Sequence, residues 1–425
     1  MNRYVTAKEL LKKASRSGSR LGLERIYELA CKLCDPQKDL KIIHVAGTNG
    51  KGSFSAMLSA VLTAQGYKTG MFSSPAMLDY TDQYRINGRC ISEELFAETL
   101  LKVSAAAESM EDQPTEFELL TAAAFLLFKE QCCDYAVIEC GMGGDGDSTN
   151  IITSPLLSVI TNVALDHCAF LGSTTAEIAA HKAGIIKQGR PVYFGGDDKA
   201  AFDVISEVAK QKGSTLYRPV SLEQITSKDG RFTVCFKGNS FTLPLSGTYQ
   251  LKNLTNVLSC VEILKNEGVE ISDSAVKKGL ESVRWEGRFE TLLTEPTVIF
   301  DGAHNPDGMT ELCRSITAVF PETKPAILIG VLADKDYSLY CEMLKPLVCR
   351  AFAIAPVNHR ALSPEVLSEC FNRGGIECKP FVSIESGFEA AYGFCRRENI
   401  PLLVIGSLYL YKDIRRCTDK IKKSN

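Results

Sequence analysis

Eight short apolar runs, separated by segments of helical periodicity or by turns, constrain the fold of this 425-residue chain more than any other feature. Runs of this length without alternating polar residues are typical of strands buried on both faces of a parallel sheet. Alternation of such strands with helices predicts α/β layers whose ligands bind at the carboxyl ends of the strands. The eight runs are KIIHVAG, DYAVIEC, LLSVITNVA, PVYFGG, TVIFDGA, PAILIGV, AFAIAPV and LLVIGS.

A different pattern occupies residues 230–247, GRFTVCFKGNSFTLPLSG, which predicts a β-hairpin turning at Gly238-Asn239. A helical segment, NLTNVLSCVEILKNEG, and the sequence RWEGRFE follow before the strand–helix alternation resumes. We therefore predict two α/β domains. The first, residues 1–290, is a P-loop-type domain with a mostly parallel sheet and a small β-rich subregion; the second, residues 291–425, is Rossmann-like.

Composition excludes several classes of protein. Hydrophobic content of 45% and charged content of 23% are ordinary for a globular chain, and the net charge of −3 gives no basic surplus for nucleic acid. No apolar run has the length of a membrane span, and the N-terminus has no apolar signal-peptide core. We expect a cytoplasmic protein with no nucleic-acid or membrane partner. Its sixteen cysteines are expected to be reduced and mostly buried, including the Cys31 and Cys34 pair inside a predicted helix.

The stretch HVAGTNGKGSFSAML, residues 44–58, has the context of a phosphate-binding loop. An apolar strand over Ile42 to Ala46 runs into the glycines, and a helix with one apolar face follows. Backbone N–H groups and the helix N-terminus would then face an anion. The spacing departs from G-x-x-x-x-G-K-[ST], since Gly52 separates Lys51 from Ser53, and a plain tight βα turn is the alternative. The candidate phosphate-binding residues are Gly47, Thr48, Asn49, Gly50, Lys51, Gly52, Ser53 and Phe54.

Further polar residues follow other predicted strands. Glu139 ends the strand DYAVIEC, where a carboxylate suits Mg²⁺ beside a phosphate loop. Asp166 and His167 come after LLSVITNVA, and Lys182 and Lys187 lie in HKAGIIK. Each of these residues alone has an ordinary structural explanation.

Taken together and in order, the motifs resemble the folylpolyglutamate synthase/dihydrofolate synthase family of Mur-ligase-like, ATP-dependent amide ligases. The resemblance spans roughly residues 20–410. GTNGKGS is this family's own version of the phosphate loop. The segments that carry the resemblance are HVAGTNGKGS, SSPAML, YTDQYRINGRCIS, FELLTAAAF, IECGMGGDGDSTN, SVITNVALDHCAFLGSTTAEIAAHKAGIIK, RWEGRFE, DGAHNPDG and LADKDY.

The resemblance implies a set of site residues. ATP would bind the glycine loop together with Asn253, Arg288 and Asp301, and Mg²⁺, in two sites, would be held by Ser53, Ser74, Glu139 and His167. Lys182 matches a lysine that the family carbamylates, which would make it a further metal ligand. The catalytic residues would be Lys51, Lys182, Arg288 and His304. The folate pocket would include Phe117, Glu118, Asp147 and Ser148.

The implied reaction has two steps. A substrate carboxylate attacks the γ-phosphate of ATP, and the amine of L-glutamate then displaces phosphate from the acyl phosphate to form an amide. The carboxylate belongs to a reduced folate or to dihydropteroate. The resemblance also leaves open an additional monovalent cation, and residues 358–363, NHRALS, are a candidate part of the glutamate site.

Three positions depart from the family pattern: Ala76 replaces a histidine, and Gln83 and Asp145 each replace an arginine. All three lie where the family binds or covers the pterin, so a negative charge at Asp145 would penalise an anionic substrate group nearby. Neutral drift around a tolerant pocket is the favoured explanation. Three hypotheses stay open: a folate ligase with one or both activities, a ligase for another carboxylate acceptor, and an ATP-binding protein without ligase activity. We expect a monomer.

Overall fold

The computed structural model describes residues 2–18, 20, 22–228 and 231–424. By internal contacts the chain divides into two compact units. The first comprises Met1–Gln224, Val234–Phe241 and Lys252–Arg284, and the second comprises Ile225–Thr233, Thr242–Leu251 and Trp285–Asn425. Among the described residues, no helix is both long and apolar enough to cross a lipid bilayer.

Over the described residues, the first unit is built around a sheet of eight strands in the order β4-β3-β2-β5-β1-β6-β7-β8. The pairs from β2 through β8 are parallel, and β3 and β4 add an antiparallel edge. The strands are β1 Ile42–Ala46, β2 Thr69–Phe72, β3 Tyr84–Ile86, β4 Arg89–Cys90, β5 Tyr135–Glu139, β6 Leu157–Ile160, β7 Val192–Phe194 and β8 Leu216–Tyr217.

Helices accompany this sheet, and the sequence explains where they begin. Thr115 and Glu118 form a capping box that starts α5, and Gly50 stands at the N-cap of α3. The predicted apolar face of α3, with Phe54, Met57 and Leu58 among its members, is fully buried. The helices are α1 Arg3–Ala14, α2 Glu24–Lys32, α3 Lys51–Gln65, α4 Glu93–Ala107, α5 Glu116–Glu130, α6 Cys168–Leu171, α7 Thr175–Ala183, α8 Lys199–Gln211, α9 Tyr249–Asn266 and α10 Asp273–Ser282.

The β-rich subregion is a small sheet of β9 Gln224–Lys228, β10 Arg231–Phe236 and β11 Asn239–Leu243, in the order β11-β10-β9. The predicted hairpin is confirmed, but its turn was placed one residue too late. Lys237 and Gly238 both have positive φ, 49° and 72°, which is the requirement of a two-residue turn of the primed type.

The second unit contains a mixed sheet in the order β12-β13-β17-β14-β15-β16, parallel except for the β12–β13 pair. Together the two sheets confirm the predicted fold class, and all eight apolar runs form strands. The remaining elements are β12 Glu290–Thr294, β13 Thr297–Phe300, β14 Ala326–Ile329, β15 Arg350–Ala353, β16 Cys378–Pro380, β17 Leu402–Ile405, α11 Pro306–Val319, α12 Tyr337–Leu344, α13 Pro364–Arg373, α14 Ile384–Glu398 and α15 Tyr411–Ser424.

The prediction that the cysteines are mostly buried is wrong. All sixteen lie in the described residues and none forms a disulfide, but only five are buried and six are exposed. Cys34 also lies beyond the end of α2 rather than inside it, because its φ of 60° ends the helical path. The exposed six are Cys31, Cys34, Cys90, Cys132, Cys168 and Cys349.

The central strand β1 carries a histidine whose burial has a measurable consequence. His44 is 0% exposed, and burial lowers its pKa from 6.5 to about 3. The unfolded chain therefore binds one more proton than the folded protein between these two values, and stability falls as the pH drops through 6.5. We expect wild-type stability, relative to His44→Asn, to fall by about 1.4 kcal/mol per pH unit from about pH 6 to about pH 4. Urea unfolding over that range measures the difference; a flat difference would contradict the prediction.

Candidate active site

The glycine loop between β1 and α3 is held open by two close approaches that only glycine permits. A Cβ on Gly47 would lie 2.0 Å from Thr161 Oγ1, and one on Gly50 would lie 2.3 Å from Asn253 Oδ1. Gly50 also has a φ of 84°, in the left-handed region that favours glycine. Asn253, predicted at the nucleotide site, therefore lies directly against the loop.

The loop is locked to the segment that follows β6. Asn49 N donates to Asn162 Oδ1 at 2.7 Å, and Thr161 Oγ1 donates to the Asn49 carbonyl at 2.7 Å. Thr48 Oγ1 accepts from Ala164 N at 3.0 Å. Neither Thr161 nor Asn162 was predicted to have a role. The available signal was that TN directly follows a strand adjacent to the one that carries the glycine loop.

Lys51 lies at the first turn of α3 with its ammonium turned back over the loop. Its Nζ donates to the carbonyls of Gly47 at 3.0 Å and Thr48 at 3.2 Å, and lies 4.0 Å from Glu139 Oε1. The loop's predicted cation and the carboxylate at the end of β5 are thus neighbours, in the geometry of a site for phosphate and a metal ion.

The predicted metal ligands Ser53, Ser74, Glu139 and His167 follow neighbouring parts of the sheet. In the order β2-β5-β1-β6, Ser74 comes after β2, Glu139 ends β5, Ser53 lies on the helix after β1, and His167 comes after β6. Parallel strands end at one edge of a sheet, so these residues belong to the same edge. Within the described residues, no three His, Cys, Asp or Glu side chains form a metal-site group. The predicted set does not meet that criterion, because only Glu139 and His167 are of those types. Its two serine hydroxyls, one carboxylate and one imidazole are nevertheless groups that can bind Mg²⁺.

Lys182 on α7 is buried, with 3% of its surface exposed. Burial, and then the neighbouring charge of Lys51, lower its pKa from 10.5 to about 7. Gly144 packs closely against the backbone of α7 at His181 and Lys182. A Cβ on Gly144 would lie 2.6 Å from the His181 carbonyl oxygen and 2.9 Å from the Lys182 carbonyl oxygen. At neutral pH Lys182 is therefore an uncharged, nucleophilic amine in a substantial fraction of the molecules.

The four residues predicted for the folate pocket occupy two places. On α5, the Phe117 ring packs on Gly141, and Glu118 accepts from Arg25 Nε at 3.1 Å while capping its own helix. After β5, Asp147 is buried and accepts from Met142 N at 2.9 Å and Thr149 N at 3.0 Å, and Ser148 is buried beside it. Glu118 thus stabilises the fold through an ion pair and a helix cap, independently of any substrate.

The three positions that depart from the family pattern differ in their surroundings. Gln83 is buried and Ala76 is half-buried. Asp145 accepts from His181 Nδ1 through both carboxylate oxygens, at 2.9 and 3.0 Å, and its backbone N donates to the His181 carbonyl at 2.8 Å. The carboxylate that was expected to meet a substrate anion is therefore bound to a histidine of α7.

In the second unit, Asp301 at the end of β13 collects three hydrogen bonds. It accepts from the Tyr249 hydroxyl at 2.6 Å, from Phe289 N at 2.9 Å and from Ala303 N at 2.8 Å, and burial raises its pKa. Arg288 lies earlier in the chain, in the segment RWEGRFE that leads into β12, and its Nη1 donates to the Gly287 carbonyl at 3.1 Å. Tyr249 was missed from sequence, because nothing links it to Asp301 before the chain folds.

His304 lies on the same loop of the second unit, ahead of α11. Its Nδ1 is 2.8 Å from the Gly302 carbonyl oxygen, so Nδ1 carries the proton. The segment 358–363 follows β15 and is bound to the segment after β14, since Ala333 N donates to the Arg360 carbonyl at 2.8 Å. These groups gather at the carboxyl edge of the second sheet, where α/β sheets bind ligands.

Comparison with known protein families defines the class. The Mur ligase middle domain matches residues 45–261, and the Mur ligase, glutamate ligase domain matches residues 287–408. The chain is thus an ATP-dependent ligase of the Mur type.

Similar proteins narrow this class to one family. The dihydrofolate synthase/folylpolyglutamate synthase of Bacillus subtilis is 32% identical over 431 residues, covering 97% of this chain and 98% of that protein. The Mycobacterium tuberculosis folylpolyglutamate synthase complexed with ADP and AMPPCP matches with a TM-score of 0.90 at 27% identity, covering 98% of both chains. A bifunctional folylpolyglutamate synthase/dihydrofolate synthase with Mn, AMPPNP and L-glutamate bound matches with a TM-score of 0.83 at 29% identity, covering 97% of this chain and 98% of that one. The chain belongs to the folylpolyglutamate synthase/dihydrofolate synthase family.

The two glycines that flank α3 offer a matched test of the loop. Gly50 and Gly66 both have positive φ, 84° and 108°, but a Cβ on Gly66 would meet nothing within 4 Å. Alanine should therefore strain the backbone at both positions, at a cost of about 1–3 kcal/mol each. Only Gly50→Ala should abolish binding of Mg-ADP, measured by titration calorimetry. Equal loss of binding in both variants would show that strain alone, and not the shape of the loop, is responsible.

Proposed function

We propose that this enzyme ligates L-glutamate to the carboxylate of a folate through an acyl phosphate, with reduced folate or dihydropteroate as the acceptor. The observation that carries the proposal is the placement of Lys51 over the glycine loop, 4.0 Å from Glu139 and within electrostatic range of the buried Lys182. The similar enzyme with Mn, AMPPNP and L-glutamate bound supports nucleotide, divalent metal and glutamate as ligands.

The residues of the first unit would act on the phosphates. Lys51 would leave the loop carbonyls and compensate phosphate charge, while the N–H groups at the start of α3 bind phosphate oxygens. Mg²⁺, in two sites, would be held by Ser53, Ser74, Glu139 and His167, and would neutralise charge on the transferred phosphoryl group.

Lys182 is proposed to carry a carbamate. A buried lysine is costly as a cation, and its neutral amine can attack carbon dioxide at near-neutral pH. The nitrogen bonds to the carbon of carbon dioxide and releases a proton to solvent, so the product is an anionic carbamate, which would be attracted by Lys51 and by a nearby metal ion. This modification would replace a buried amine, which is costly when protonated, by an anion with favourable partners.

In the second unit, Arg288, Asp301 and His304 are proposed to contact the nucleotide or the reacting groups, and residues 358–363 to belong to the glutamate site. We retain 1–290 and 291–425 as the proposed functional division of the chain. Asn253, against Gly50, would belong to the nucleotide site. The enzyme is proposed to act as a monomer.

A second candidate function is ligation to a different carboxylate acceptor. It was motivated by the substitutions at Ala76, Gln83 and Asp145, of which Asp145 alone reverses a charge, and the hydrogen bonds from His181 supply another reason for that carboxylate. The folate acceptor is therefore favoured. An ATP-binding protein without activity is disfavoured, because the polar groups near Glu139 and Lys182 are buried at a cost that only function explains.

The reaction can be tested by ADP release with Mg-ATP, L-glutamate and either tetrahydrofolate or dihydropteroate. Sustained ADP release should require glutamate and at least one acceptor, and Lys51→Ala should lower kcat by about 100-fold or more. Lys199→Ala is the control, since that side chain is 85% exposed on α8. If ADP were released with neither tetrahydrofolate nor dihydropteroate, but with another carboxylate from a substrate panel, the second candidate function would be favoured.

The carbamate can be tested separately with ¹³C-bicarbonate. A carbamate carbonyl signal should appear in the ¹³C spectrum of the wild-type enzyme and be absent from Lys182→Ala, while Lys187→Ala retains it. Activity should fall in buffers depleted of carbon dioxide and return on adding bicarbonate. An identical spectrum for wild type and Lys182→Ala would refute the modification.

A further inference from the structure

A chain of buried polar side chains lies beneath the loop that follows β5. His44 on β1, Cys140, Asp147 and Thr149 are each at most 5% exposed. His44 Nε2 lies 2.8 Å from Thr149 Oγ1, and Thr149 Oγ1 lies 2.5 Å from Asp147 Oδ1. The strand that enters the glycine loop is thereby connected to a residue of the proposed folate pocket.

The direction of these hydrogen bonds follows from counting protons. A threonine hydroxyl has one proton, and the short contact to the carboxylate of Asp147 uses it. The hydroxyl oxygen is then the acceptor for His44, which must carry its proton on Nε2. Cys140 Sγ, 3.1 Å from the same nitrogen, is a second acceptor. His44 is a neutral imidazole, because burial lowers its pKa to about 3.

Asp147 is oriented by this chain from one side and by backbone from the other. Its Oδ1 accepts from the hydroxyl and N–H of Thr149, and its Oδ2 accepts from Met142 N at 2.9 Å. Burial raises the pKa of this carboxyl group, and its hydrogen bonds oppose that shift by stabilising the carboxylate. The same hydrogen bonds fix the orientation of the carboxylate. Without the hydroxyl, the side-chain donor to Oδ1 is lost.

We propose that His44 and Thr149 are positioning residues that hold the Asp147 carboxylate in the orientation required to bind the folate acceptor. The inference rests on the proposed function, since it takes Asp147 as part of the acceptor pocket. It assigns His44, three residues before Gly47, to acceptor binding although it belongs to the strand of the nucleotide loop. Removing these hydrogen bonds should weaken binding of the acceptor and leave binding of the nucleotide unaffected.

The structure offers a matched pair of variants. Thr149 and Thr121 are both 0% exposed, but Thr121 Oγ1 has no hydrogen-bond partner among the described residues. Thr149→Val and Thr121→Val make the same isosteric change at equal burial, and only the first removes hydrogen bonds. Thr149→Ser restores the hydroxyl.

We expect Thr149→Val to raise the KM for tetrahydrofolate by about tenfold, as for the loss of a hydrogen bond to a charged group, with the KM for ATP within about twofold of wild type. Thr121→Val and Thr149→Ser should keep both constants near wild type. A Thr149→Val enzyme that matches Thr121→Val, or that loses ATP and acceptor affinity equally, overturns the proposal. If Thr149→Val does not fold, Thr149→Ala takes its place.

The tautomer of His44 is a second readout, independent of activity. In ¹H–¹⁵N spectra of the imidazole groups, wild type should show a His44 proton on Nε2, assigned by its absence in His44→Asn. Its shift should move in Thr149→Val and not in Thr121→Val. A proton on Nδ1 overturns the hydrogen-bond chain. Wild-type enzyme that releases no ADP with any folate refutes the proposed function instead, whatever the tautomer.

Discussion

The contact between the glycine loop and the segment after β6 is the constraint on which the first site depends. Gly47 lies so close to Thr161 that a single added carbon would collide with its hydroxyl, and Asn49 exchanges hydrogen bonds with Thr161 and Asn162. The loop is therefore shaped by the segment after β6 together with its own glycines. These contacts hold the loop in place although its Lys51-Gly52-Ser53 order is unusual.

The burial of charged and polar side chains follows from the same architecture. The carboxyl ends of β2, β5, β1 and β6 lie at one edge of the sheet. Lys51 lies 4.0 Å from Glu139 there, and its charge acts on the buried Lys182 of α7. Desolvation and the mutual repulsion of the two lysines then lower the pKa of Lys182. A site of this kind is stabilised by binding phosphate and metal, which supply the missing charges.

Asp145 shows how a residue type can mislead when its neighbours are unknown. Its negative charge, in a motif that usually carries arginine, left a different acceptor open as an alternative to neutral drift. In the folded chain its carboxylate and backbone both bind His181, which immediately precedes Lys182. The substitution therefore concerns the packing of the loop on α7, and substrate choice does not follow from it.

The sequence by itself determined the strands, the α/β fold class, the glycine loop between β1 and α3, and the family, because buried parallel strands and glycine turns leave local patterns that survive without knowledge of contacts. It located Glu139 at the end of β5 for the same reason, while Asp147 came only from the family resemblance. Only the tertiary structure decided that Lys182 is buried, that Tyr249 bonds Asp301, and that His44 reaches Asp147 through Thr149. Those relations join residues distant in the chain, and burial and hydrogen bonding across such distances are properties of packing rather than of any local pattern.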